Sequence, residues 1–115
     1  MRVMEKLAEL GLSLPPDWTP RGRFLPFRRE GAVVYLSGQI HLDPATGKLV
    51  EGDIGSQTRQ CLENLKSILA SAGLGFGDIV KTTVFLTDMA DFPDMNVVYE
   101  TYMEAPFPAR STIQV

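Results

Sequence analysis

"DIVKTTVFLTDMADFPDMNVVYETYMEAPFPARSTIQV", Asp78 to Val115, changes its hydrophobic period twice, and that change decides the fold. From Ile79 to Leu86, β-branched and aromatic residues follow one another in the alternation a strand requires. Val80, Thr82, Val84 and Leu86 fall on one face, and Ile79, Thr83 and Phe85 on the other, so both faces read as largely buried. Beyond Asp88 the period lengthens. Phe92, Met95, Tyr99 and Tyr102 make the inward stripe of a helix, with Asp91 as its N-cap and Asp94 in its first turn. Pro106 and Pro108 then bracket Phe107, and "RSTIQV" reads as the final strand.

Upstream, "RFLPFRR" and "AVVYLSGQI" flank Glu30-Gly31 and read as a β-hairpin about a Gly-containing turn. Pro26 has no N–H for a ladder, so the first strand is expected at an edge or broken at a bulge. "DPATGKLVEGD" carries the turn pairs Asp43-Pro44 and Thr46-Gly47 and reads as a loop. A long helix follows, with Asp53 as N-cap and Cys61, Leu62, Leu65, Ile68, Leu69 and Ala72 on its apolar face. Gly73 ends it, and Gly75 and Gly77 continue the loop. At the start, Val3, Met4, Leu7 and Leu10 recur at helical spacing up to Gly11, and "SLPPDWTPRG" is a Pro-rich linker.

The expected order is helix, β-hairpin, helix, strand, helix, strand: one domain over 1–115, with residues 1–22 a helical extension and linker. The class is α+β, a mixed sheet with both long helices on one face and right-handed crossovers. The sheet's other face, around Val80 and Val84, lacks a cover of its own. Self-association is the economical way to supply one.

Composition bounds the function. The chain has 115 residues, 44% hydrophobic and 22% charged, with a net charge of -3. An acidic balance argues against a nucleic-acid partner, and the cluster Arg21, Arg23, Arg28 and Arg29 reads as a solvated surface paired with acids. No apolar run approaches the roughly 18 residues of a membrane span. Glu5, Lys6 and Glu9 interrupt the apolar run a signal peptide needs. A single cysteine, Cys61, forms no internal disulfide, which points to a reducing cytoplasm; it reads as packing. His41, the sole histidine, has no Cys, His or carboxylate cluster around it in sequence, so no metal is expected.

Arg110 is the lone cation after Lys81, in a tail holding Asp88, Asp91, Asp94, Glu100 and Glu104. At the start of a strand, its fork of donors can grip a carboxylate through two parallel hydrogen bonds. It can equally pair with Glu104 or Asp94 and only stabilise the turn, and spacing leaves both readings open. In Ser37-Gly38-Gln39, Gly38 would let a ligand or another backbone approach closely, and Ser37 offers a hydroxyl. Asn96 reads by pattern as an exposed solvating residue early in its helix. "GLGFG" precedes a strand, whereas a nucleotide loop opens a helix after one.

"VVYLSGQIHLDPATGKLVEGDIGSQTRQCLENLKSILASAG", "DIVKTTVFLTDMADFPDMNVVYETYM" and "PARSTIQV" together closely resemble the Rid (YjgF) family, the reactive-intermediate deaminases, also labelled L-PSP endoribonuclease-like. The likeness runs from about Phe24 to Val115, and the N-terminal helix and linker depart from the short family form. The resemblance implies a chorismate-mutase-like fold assembled as a homotrimer, with clefts between subunits where small imine or enamine acids become keto acids. It implies an activity like that of the 2-iminobutanoate/2-iminopropanoate deaminases, which needs no cofactor because the imine is already reactive. By the same resemblance Arg110 binds the substrate carboxylate, Ser37 and Gly38 line the cleft with Asn96, and Phe24 stands where the family often has tyrosine. Thr112 stands where cysteine is common, its backbone and hydroxyl beside the reacting carbon or its water.

The family form ends in one further strand with a glutamate thought to position the attacking water. With the sequence ending at Val115, that strand and acid are expected to be absent from it. Two other readings stand beside the deaminase: a non-catalytic carboxylate-binding trimer that senses a metabolite, and a ribonuclease. The acidic charge and the want of a histidine pair disfavour the ribonuclease.

Overall fold

The computed structural model describes residues 25–115; the expected first helix, the Pro-rich linker and Phe24 lie outside them. The hairpin forms as the sequence implies. Strands β1 (Phe27–Glu30) and β2 (Val33–Leu36) pair antiparallel, with Phe27 opposite Leu36 and Glu30 opposite Val33. Gly31 turns the chain at φ +60°, a backbone state glycine takes without a Cβ clash. Pro26 sits just ahead of β1, fully buried, and needs only its carbonyl, which accepts from the Ser37 N–H at 2.9 Å. A strand that begins after its proline loses no ladder bond.

Helix α1 (Ile54–Ser71) starts at the expected cap: an Asp53 carboxylate oxygen accepts from the Ser56 N–H at 2.9 Å. It ends in a Schellman motif, with Leu74 N–H on the Leu69 carbonyl and Gly73 N–H on that of Ala70. Gly73 takes the left-handed state there, at φ +75°. Asn64, midway along α1, donates to the carbonyls of Ile40 and Leu42 and so ties the loop after the hairpin to the helix. Burial pushes the Cys61 thiol up from its ordinary range, as suits a packing residue.

Strands β3 (Lys81–Leu86) and β4 (Ala109–Gln114) run parallel around helix α2 (Phe92–Tyr102), Lys81 opposite Ala109 and Leu86 opposite Gln114. The two strand pairs are separate ladders within the described chain. The core joins them: Leu62 and Leu69 of α1 meet Leu86 of β3 and Met95, Val98 and Tyr99 of α2, with Leu36 of β2 packed against the cluster. Phe76 and Tyr102 add a tilted ring pair, centroids 5.6 Å apart.

Two expectations change. Strand β3 is not buried on both faces: Thr82, Val84 and Leu86 turn toward the helices, but Thr83 is exposed and Phe85 is 62% exposed. Among the described residues helices cover one side only, so the open face there is that of Thr83, Phe85, Ser111 and Ile113, not that of Val84; Val80 precedes the strand altogether. Secondly, the Asp91 side chain caps nothing at α2. Asp88 does the capping one turn earlier, accepting from the Ala90 N–H at 2.9 Å to open the short 3-10 turn Met89–Asp91 that leads into the helix.

Candidate functional site

Parallel pairing puts Arg110 opposite Thr82, on the sheet face that α2 covers. The helix meets it with residues Phe92, Asn96 and Tyr99, spaced so that they share one side of α2. The Arg110 guanidinium carbon lies 4.7 Å from the Tyr99 ring centroid and 5.2 Å from that of Phe92. Both are within cation–π range, so two rings hold the cation at a set depth. Its Nη1 donates to Asn96 Oδ1 at 2.6 Å, and Asn96 Nδ2 donates to Glu100 Oε1 at 2.8 Å. Tyr99 is itself fixed, since its hydroxyl shares a 2.7 Å hydrogen bond with Thr82 Oγ1. Thr82 thus positions Arg110 twice, through the strand register and through the ring beneath it.

Arg110 does not meet the two acids named in the turn-stabilising reading. Among the described residues the ion pair is Arg28 with Glu30, at 2.8 Å on the surface, and neither Glu104 nor Asp94 pairs with Arg110. Glu104 turns elsewhere: its Oε2 lies 3.1 Å from where a Cβ on Gly77 would stand. Arg110 borders an open groove of about 590 Å³, lined also by Asn96, Tyr99, Glu100, Met103, Phe107 and Pro108. Its lining combines apolar side chains, with Phe107 73% exposed, and the guanidinium, the amide and one carboxylate. Such a surface can take a small acid by its carboxylate and lay its carbon chain against an aromatic side chain.

The remaining expected site residues stand apart from this groove. Ser37 is engaged with its own strand start, its Oγ donating to the Leu25 carbonyl at 2.6 Å. Among the described residues nothing lies within 4 Å of where a Cβ on Gly38 would be, so they leave that backbone open to approach. Thr112 lies on the Arg110 face of β4 but is not in the groove lining; its Oγ1 is shut in, without a hydrogen-bond partner. Arg110 and Asn96 are therefore brought together, and Ser37, Gly38 and Thr112 are not. No three His, Cys, Asp or Glu side chains gather as metal ligands would among the described residues.

The sequence reading missed four contributors. Phe92 and Tyr99 were assigned to the core stripe alone, and Glu100 and Phe107 were passed over. The signal was the spacing 92, 96, 99, which puts the polar Asn96 on the same side of the helix as two rings. A lone polar residue there is better explained by a partner than by solvent.

Known proteins resemble this chain in both sequence and fold. The sequence model described as endoribonuclease L-PSP matches residues 17–115. A 2-iminobutanoate/2-iminopropanoate deaminase of Salmonella typhimurium is 51% identical over 88 residues, covering 74% of this chain and 68% of the relative. Protein DfrA of Myxococcus xanthus is 49% identical over 85 residues, covering 74% of this chain; the match spans 65% of that relative, under two thirds of its length. Among solved structures, Escherichia coli TdcF with bound serine superposes with a TM-score of 0.81 at 38% identity, covering 90% of this chain and 84% of that one. Motifs, fold and relatives converge: the chain belongs to the endoribonuclease L-PSP family, the Rid (YjgF) proteins of chorismate-mutase-like α+β fold.

Proposed function

We propose that this chain hydrolyses small imine or enamine acids, giving a 2-keto acid and ammonia, with Arg110 as the carboxylate anchor. One observation carries the reading: a half-buried guanidinium held by two rings and one amide, paired with no carboxylate among the described residues, at the edge of an open groove. With Nη1 committed to Asn96, Nε and Nη2 remain for a bidentate carboxylate. The names of the relatives and the serine bound in TdcF support a small amino- or imino-acid ligand.

The chemistry asks for little machinery. An enamine such as 2-aminoacrylate becomes its imine by gaining a proton at C3 and losing one from nitrogen. Water adds to C2, the C–N bond of the resulting carbinolamine breaks, ammonia leaves and the keto acid remains. Holding the conjugated carboxylate against a fixed cation draws electron density from C2 and presents one face of it to water. Ser37 and Gly38 stand outside the groove of a single chain, and in this reading a second copy brings them to it. Homotrimeric association across the open β3–β4 face supplies that copy.

The test is ammonia release from enzymatically generated 2-aminoacrylate, with the unaltered chain and Arg110→Ala. Acceleration by the first and not the second is expected; equal acceleration by both would remove Arg110 from the reaction. A second reading, a carboxylate-binding sensor without turnover, is favoured by the enclosed Thr112 hydroxyl, which in one chain offers nothing to a reacting carbon. It requires calorimetric keto-acid binding that is lost in Arg110→Ala, with no ammonia from either protein.

A further inference from the structure

We infer that Glu100 is a positioning residue for Arg110, acting through Asn96, and that this relay decides which edge of the guanidinium is left for a ligand. The inference rests on the carboxylate-binding reading of the groove. Three side chains stand in line: Arg110 Nη1 donates to Asn96 Oδ1 at 2.6 Å, and Asn96 Nδ2 donates to Glu100 Oε1 at 2.8 Å. The ends of this chain have fixed polarity, because a guanidinium only donates and a carboxylate only accepts. An amide between them has one orientation that satisfies both.

Without an acceptor at position 100, only the bond to Nη1 opposes a half-turn of the amide, a turn that sets Nδ2 against Nη1, donor against donor. Phe92 and Tyr99 fix the depth of the guanidinium but not its rotation between them, since ring faces attract it with little preference for direction. Asn96 supplies the rotation, and Glu100 fixes Asn96. Glu100 and Asn96 are one helical turn apart on α2, so the backbone presets the pair. Glu100 is exposed, and substitution there leaves the core untouched.

The expected sign runs against simple charge reasoning. Removing a carboxylate from a groove that binds anions should, by Coulomb attraction alone, tighten binding, and equally for Ala and Gln. The relay requires the reverse for Ala, and for Gln, whose Oε1 still accepts, it requires near retention. With 2-oxobutanoate as probe, calorimetry on the full chain should show Glu100→Ala weakened about three- to tenfold, the effect of one ordinary hydrogen bond. Glu100→Gln should recover most of the affinity.

Nitrogen-15 NMR of the Arg110 Nη protons reads the relay without any ligand. Rotation about Cζ–Nη1 should be slow in the unaltered chain and in Glu100→Gln, and faster in Glu100→Ala. Ala and Gln variants that bind the probe equally, or more tightly than the unaltered chain, overturn the inference. So does weakened binding in Ala with unchanged Nη rotation, which would make Glu100 a direct ligand contact. If the unaltered chain does not bind 2-oxobutanoate, the carboxylate-binding reading fails, and the rotation rates alone decide whether Glu100 orients Arg110.

Discussion

Arg110 has five N–H donors, and one of the two at Nη1 is committed to Asn96. A lysine at this position keeps the charge and loses the fork, the plane between the rings and the simultaneous bond to Asn96. Arg110→Lys should fold and assemble normally yet lose roughly 1.5–3 kcal/mol of carboxylate binding, measured by calorimetry with 2-oxobutanoate. Unchanged affinity would show that charge alone is sensed. Thr112 poses the opposite question, because its buried hydroxyl has no partner among the described residues. Thr112→Val keeps the shape and removes the unmet polar atom, so stability should rise by about 1 kcal/mol in denaturant unfolding. If ammonia release falls while stability rises, the hydroxyl belongs beside the reacting carbon, at a site one chain leaves closed.

At the scale of elements, the acids at helix starts differ in ways their sequence positions hide. Asp88 accepts from the Ala90 N–H, whereas Asp91 makes no side-chain cap. Asp88→Ala should therefore cost about 1 kcal/mol, and Asp91→Ala distinctly less, by thermal or denaturant unfolding. A larger loss at Asp91 would return the cap to it. Asp53 adds a pH signature. Its hydrogen bond from the Ser56 N–H, with lesser help from the Ser56 side chain and Arg59, holds its carboxyl below the ordinary 3.8. A lowered folded value means the contribution is present above 3.8 and fades as pH falls below it, through the folded value. The stability gap between the unaltered chain and Asp53→Ala should be constant at neutral pH and narrow as pH falls below 3.8. A gap that widened with acid would contradict the cap.

For the whole molecule the open question is what covers the outer face of β3 and β4. Phe85 is 62% and Ile113 47% exposed, large apolar groups on a face that no helix covers among the described residues. In the homotrimeric reading this face is an interface, and light scattering should give three times the 12.7 kDa chain mass. Phe85→Glu should then shift the protein toward monomer and lower ammonia release, although Arg110 and its rings lie on the opposite face. A monomeric unaltered chain with full activity would separate the site from assembly.

Local signals in the sequence were enough for the strands and α-helices of the described residues. The alternation through Thr82, Val84 and Leu86, the Asp53 cap, Gly31 in its turn and Gly73 after α1 each state a backbone or burial requirement within a few residues. The resemblance from about Phe24 to Val115 identified the family and singled out Arg110 and Asn96. What the sequence left open was whom Arg110 meets. Glu104 and Asp94 were as near along the chain as Asn96, and only the return of β4 beside β3, under α2, puts the guanidinium against Asn96 and between two rings. Which strand face stays open was likewise a tertiary matter. A period of two names two faces without saying which one the helices will cover, and packing of α2 on the Thr82–Leu86 side made that choice.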